Sequence, residues 1–155
     1  MKTFIEHVRD LHYEVGAAGE APTSVVGNKG EARRIVNWIR QADLLIQGLY
    51  FNWKFLYRSY SQNTATGVKL LQKPTNHSIW DFSTFRINGD TLCAVEYDDV
   101  KSEILNDSNG TPDRVIVMPD NSLKFDPTPS GVFSITADYY ATPISMQENT
   151  DVSVI

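Results

Sequence analysis

The hydrophobic period changes once along this chain, and that change constrains the fold more than any other feature. Up to about residue 58, apolar residues recur every three to four positions; after Ser61 they alternate. The first spacing suits a helix with one buried stripe, the second a strand with one buried face. A chain that carries them in succession is predicted to be α+β, with N-terminal helices packed with an antiparallel β-module. Its 155 residues suit a single domain that buries a core without disulfides or metal. Within it, residues 1–60 are expected to be helical, 61–145 β-rich, and 146–155 a linker or tail.

Phe4, Val8, Leu11 and Val15 recur at helical spacing, with Thr3 suited to cap the start and Gly16 to end it. This predicts a helix over about 3–15. Residues 17–30, rich in Gly, Pro, Ser and Ala, read as a loop. A second helix is predicted over about 31–58. Ile35, Trp38, Ile39, Ala42, Leu45, Ile46 and Leu49 form its apolar stripe, with Arg33, Arg34, Asn37, Arg40, Gln41 and Gln47 largely off it. Trp38 is expected in the core, where truncation to Ala would cost about 3–5 kcal/mol. Two helices with one stripe each cannot bury themselves as a pair, so a third helix, a sheet or a neighbouring subunit is required. The aromatic run Tyr50, Phe51, Trp53, Phe55, Tyr57 and Tyr60 reads as a core hinge.

The β-module is predicted over about 66–142. Val68, Leu70 and Leu71 form a short strand stopped by Pro74. Trp80 and Phe82 alternate on one parity, Phe85 and Ile87 on the other, which predicts a bulge near Ser83–Thr84. Asn88-Gly89-Asp90 is a hairpin turn, with Leu92–Tyr97 as its return strand. Residues 98–105 form a short helix or surface excursion and 106–112 a loop. Residues 114–118 and 123–125 form a second hairpin, and Phe133, Ile135, Ala137 and Tyr139 share one face of a last strand. The end, Gln147–Ile155, turns apolar at Val152, Val154 and Ile155, which suits a tail that docks on a partner or a bundle completed beyond Ile155.

Charge is divided. Residues 1–60 carry eight Lys and Arg against six Asp and Glu, +2; residues 61–155 carry six against thirteen, −7. An acidic surface repels phosphates, so sequence-specific nucleic-acid binding is not expected, while DNA could slide past without sticking. No apolar run approaches a membrane span. Charges in the first residues occupy the place where a secretory signal needs an apolar core, so synthesis in the cytoplasm is expected. Cys93, the sole cysteine, lies in a predicted strand and reads as a buried thiol.

Catalytic and cofactor patterns are weak. His7 and His12 are five apart and diverge on a helix, and His77 stands alone. Asp107-Ser108-Asn109-Gly110 has its glycine too early for a calcium loop. Gly27-Asn28-Lys29-Gly30 lacks the Gly-Lys-Ser/Thr ending of a phosphate loop, and no strand precedes it. The fourteen residues between the helices are too many for a helix-turn-helix. No cofactor and no enzymatic activity are expected; His77, Asp98 and Asp99 would be the first residues to test for one.

The order of features carries a resemblance. Gly30-Glu31-Ala32-Arg33-Arg34-Ile35-Val36-Asn37-Trp38-Ile39, then Asn52-Trp53-Lys54-Phe55-Leu56, follow a first helix and a Gly-rich loop. Gly110-Thr111-Pro112, Leu123-Lys124-Phe125-Asp126-Pro127-Thr128-Pro129 and Asp138-Tyr139-Tyr140-Ala141-Thr142-Pro143 recur in the second half. In this order the chain resembles tailed-bacteriophage head-to-tail connector proteins, the portal adaptors, with residues 60–105 the least similar part. The resemblance implies a structural virion protein at the head–tail interface. It would form a homo-oligomeric ring of about twelve copies, bound to the portal protein on one side and a tail or nozzle protein on the other, with DNA passing through. The alternative is another β-rich tail, neck or baseplate component. Similar proteins continue past a segment like Thr150–Ile155 into helices that complete a bundle. Candidate subunit-interface residues are Arg33, Arg34 and Arg40, on the polar side of the second helix and able to pair with a neighbour's acidic surface, and Val152, Val154 and Ile155.

Overall fold

The computed structural model describes residues 1–103 and 108–155. The fold is mixed α+β and divides into two compact units: a helical unit, Met1–Phe55 with Pro143–Ile155, and a β-unit, Leu56–Thr142.

In the helical unit, α1 spans Phe4–Glu14 and α2 spans Gly30–Gly48. Thr3 starts α1 as expected: its backbone N–H and its hydroxyl both donate to the Glu6 carboxylate, at 2.7 and 2.9 Å. Gly16 ends it at φ +62°, a left-handed conformation that glycine adopts without penalty. The core is small: Phe4, Val8, Val25, Ile35, Val36 and Met146.

The C-terminal segment, expected as a linker or a tail that docks on a partner, belongs to this unit. The first N–H groups of a helix lack intrahelical partners. Here Phe4 and Ile5 donate theirs to the carbonyls of Asp151 and Asn149, at 2.7 and 3.3 Å, and Thr3 forms a β-bridge with Val152. Asn149 also accepts from the Val25 N–H at 2.7 Å. Residues 143–155 therefore act as a strap that satisfies polar groups of α1 and the loop.

Helix α2 is shorter than predicted. Gly48 weakens it, and the Trp53 indole donates to the Ile46 carbonyl at 3.0 Å, satisfying one of the last open acceptors. After a 3₁₀ turn at Lys54–Leu56, the chain enters β1, Tyr57–Asn63. The spacing of Tyr57 and Tyr60 reads as helical, but seven consecutive residues of β1 pair antiparallel with β10, Ser134–Ala141, and this pairing outweighs local pattern.

In the β-unit, β3 (His77–Ile87) and β4 (Asp90–Thr91) complete a sheet of order β1-β10-β3-β4. A second sheet has the order β2-β8-β7-β5, with β2 at Leu70–Leu71, β5 at Cys93–Glu96, β7 at Arg114–Val117 and β8 at Leu123–Asp126. Asn109–Gly110 (β6) and Thr128–Pro129 (β9) form a small parallel pair. Both larger sheets contribute to one core, Trp80, Phe85, Ile87, Ile135, Ala137 and Tyr139 from the first and Leu71, Val115, Val117, Leu123 and Phe125 from the second.

The predicted bulge is present. Thr136 pairs with Arg86 and Asp138 with Asp81, so residues 82–85 of β3 face Ala137 alone. Side chains hold it open: Ser83 donates through its N–H and hydroxyl to Asp81, the Thr84 hydroxyl donates to the Asp81 carbonyl, and the Asp138 N–H donates to Thr84 Oγ1. Asn88 and Gly89 both have positive φ, the tight two-residue hairpin that their types favour.

The return strand differs from expectation. Asp90–Thr91 pair back with β3, and the N–H of the buried Leu92 still donates to the Phe85 carbonyl at 3.0 Å; beyond it the chain leaves for the other sheet, where β5 runs parallel to β7. Parallel pairing needs a long connection, which opens with the short helix α3, Tyr97–Val100. Parts of the predicted excursion (104–105) and loop (106–107) lie outside the described residues. Cys93 is on β5 as expected but exposed, not buried.

Candidate subunit interface

Helix α2 has two apolar flanks and only one is covered. Ile35 and Val36 are buried and Ile39 half-buried against α1 and the strap. Trp38 is 53% exposed, Leu45 68%, Leu49 59% and the following Tyr50 60%, with Ile46 and Ala42 also exposed. This corrects the core assignment of Trp38. The predicted stripe is real in composition, but the unit is too small to cover it all.

What α2 turns inward further along is polar. Asp43 and Gln47 are buried. The Gln47 amide donates to Asp43 at 2.7 Å and to the Ile144 carbonyl at 3.0 Å, and its carbonyl accepts the Ile144 N–H at 3.1 Å. The Ser153 hydroxyl donates to the other Asp43 oxygen. Buried polar groups cost little when paired in this way, and the strap is the partner that pairs them. Turning Asp43 and Gln47 inward rotates Leu45, Ile46 and Leu49 outward.

The sequence-chosen residues separate into three kinds. Arg33 and Arg34 are exposed. Arg40 is committed within its own unit: its Nε donates to the Met146 carbonyl at 2.9 Å and its guanidinium lies 5.5 Å from the centre of the Phe4 ring. Val152, Val154 and Ile155 have exposed side chains on the strap. Sequence reasoning placed Leu45, Ile46 and Leu49 on one apolar stripe with Ile35 and Ile39, without separating the side that is covered from the side that is not. The signal that could have separated them is the four-three-four spacing of Trp38, Ala42, Leu45 and Leu49, the 3.5-residue seam of helices that pair along their length.

Other places offer less chemistry. A cleft of about 350 Å³ beside the start of α2 is lined by Gly27, Asn28, Arg33, Asn37, Arg40 and Gln147. Its Arg40 is already bonded, and Asn28 donates to the Ser24 carbonyl at 2.6 Å. In the β-unit, a groove of about 370 Å³ is lined by Ile79, Trp80, Phe82 and Tyr97 with Glu96 and Asp98. On the first sheet, Asp81 and Asp138 sit opposite each other, and the Tyr57 hydroxyl lies 3.3 and 3.1 Å from their carboxylates. Burial, with those two carboxylates, pushes the Tyr57 hydroxyl up to about 12, so it serves as a donor and not as a base.

His77 is buried between Trp80 and Tyr139, ring centres 4.4 and 5.5 Å away, and neither ring nitrogen has a hydrogen-bond partner among the described residues. Burial, with Lys73 nearby, lowers it to about 4, so the ring stays neutral as a core side chain. Asp98 and Asp99 lie exposed on α3. Among the described residues no group of three or more His, Cys, Asp and Glu is arranged to hold a metal ion, and no helix is long and apolar enough to cross a membrane. No family model matches the chain, and no curated protein matches it.

Proposed function

We propose that this chain is a structural subunit of a tailed-phage virion, an adaptor in the ring that joins the portal of the head to the tail. The observation that carries the reading is the α2 face from Trp38 to Tyr50, apolar and uncovered within its own unit. Such a face suits a subunit whose neighbours complete its packing. The ordered sequence features that resemble portal adaptors supply the kind of assembly. The acidic bias of residues 61–155 is compatible with a wall past which DNA moves without binding. In a ring, modest contacts repeated in every copy add up, so no single residue has to be a hot spot.

Native mass spectrometry of this chain mixed with the portal ring from the same genome tests the proposal. The expected result is a complex with one copy per portal subunit. No complex, with both partners folded, would overturn the adaptor reading in favour of a tail, neck or baseplate part.

A further inference from the structure

We infer that the exposed face of α2 is a self-association surface, on which a second copy of this chain lies antiparallel about a two-fold axis. Trp38, Ala42, Leu45 and Leu49 recur at four, three and four residues, so they form one seam along the helix, with Ile46 beside it. Under an antiparallel two-fold centred between Ala42 and Leu45, each Ala42 faces Leu45 of the second copy. Each Trp38 then faces Leu49. Every layer pairs a larger side chain with a smaller one, which is the requirement for close packing across a self-complementary seam.

Area and charge point the same way. Taking roughly 200 Å² for each large side chain, the exposed parts of Trp38, Leu45, Ile46, Leu49 and Tyr50, with Ala42 added, amount to about 600 Å², some three-quarters of the roughly 800 Å² that each partner gives to a stable interface. That is at the upper end of the roughly 300–600 Å² of the largest exposed patch on a typical monomer, a size that is often functional. No charged residue interrupts the seam; Asp43, the one charged residue between Trp38 and Tyr50 apart from Arg40, is buried with its partners. A parallel pair would stack Arg33 and Arg34 on their own copies and repel. The antiparallel pair separates them and brings Arg34 toward the aromatic Tyr50–Trp53 end of the other chain, where a cation–π contact is favourable.

This goes beyond the adaptor reading and does not depend on it. A two-fold pair is closed, whereas a ring joins two different faces.

Sedimentation equilibrium of the full chain tests the pair first. The expected result is a dimer at micromolar concentration, weakened about a hundredfold by Leu45→Glu, with the circular-dichroism melt unchanged at a concentration where both chains are monomeric, since Leu45 is exposed. Orientation is read by cross-linking in a Cys93→Ser background. Chains carrying A42C mixed with chains carrying L45C should form a mixed disulfide, while A42C alone should not. A monomeric wild type, a dimer indifferent to Leu45→Glu, or equal cross-linking of A42C with itself would each overturn the inference. None of these outcomes bears on the portal complex, so the two proposals fail separately.

Discussion

The two units solve the same problem of burial in opposite ways. In the β-unit, thirteen described side chains, from both larger sheets and from Leu92 between them, form one core that includes Trp80, Phe85 and Phe125. Alternation along each strand assigns every second residue to that core. The helical unit has six described core residues and two helices. A helix carries its apolar residues on an arc, and α1 with the strap covers only part of the arc of α2. The polar pair Asp43 and Gln47 fills the covered part instead. Two sheets that share one core bury their apolar faces internally, whereas a pair of helices leaves a surplus that a further partner can use.

The contrast is sharpest in the core of the β-unit. Phe85 is fully buried, and Phe85→Ala is expected to cost about 3–5 kcal/mol by urea unfolding. A cost below about 1 kcal/mol would mean that the two sheets do not share a packed core. Acid should also act on this unit. His77 is neutral in the fold, with its value lowered to about 4 from an ordinary 6.5. The unfolded chain therefore takes up the proton first, and stability present above pH 6.5 is lost as pH falls toward 4. The full loss is about 3 kcal/mol. Asp81 and Asp120, held below the usual carboxylate range by hydrogen bonds from Ser83 and Ser122, add their losses only at lower pH. Unfolding free energies measured from pH 7 to 4 check this. His77→Phe should flatten the curve, and an unchanged slope would reject His77 as its source.

The same division governs what could be read from the sequence. The β-unit was legible because alternation marks faces residue by residue. Ile135, Ala137 and Tyr139 are all inward, and the parity switch between Phe82 and Phe85 marks a bulge that exists. Strand partners were less legible: nothing local indicates that β5 leaves its hairpin at Leu92 to run parallel to β7. The helical period revealed both helices and their shortage of partners. It could not say which side of a wide apolar arc faces home, because that depends on Asp43 and Gln47 meeting Ile144 and Ser153, about a hundred residues away. The strap was misread for the same reason. Its bonds to Phe4 and Ile5 are backbone bonds and leave no trace in residue type.

The polar interior of the helical unit can be tested at two places. Gln47→Leu keeps the volume but removes one of the two partners of Asp43, Ser153 being the other, and the partner of both backbone groups of Ile144. A cost of about 1–3 kcal/mol is expected, together with faster hydrogen exchange at the Ile144 amide. If Gln47→Leu stabilised the protein, the strap would not depend on this clamp. Arg40→Met should cost about 1–2 kcal/mol, since it loses both the bond to the Met146 carbonyl and the guanidinium contact with the Phe4 ring. Arg40 is thus unsuited to charge-reversal tests of assembly, unlike the exposed Arg33 and Arg34.

The smallest expected effect discriminates best between the two sides of α2. Trp38 is the largest side chain on the helix, and a buried tryptophan cut to Ala would cost about 3–5 kcal/mol. At 53% exposure it should cost no more than about 1 kcal/mol, measured by urea unfolding at a concentration where the chain is monomeric. Under self-association the same substitution gains a second effect, since it removes the ring that closes each end of the seam. Unfolding midpoints of wild type and Trp38→Ala should then be close at low protein concentration and diverge as concentration rises, because association stabilises only the form that pairs. A large cost already present in the monomer would place Trp38 inside its own unit. The surplus of apolar surface that separates the helical unit from the β-unit would then be much smaller than its exposed residues indicate.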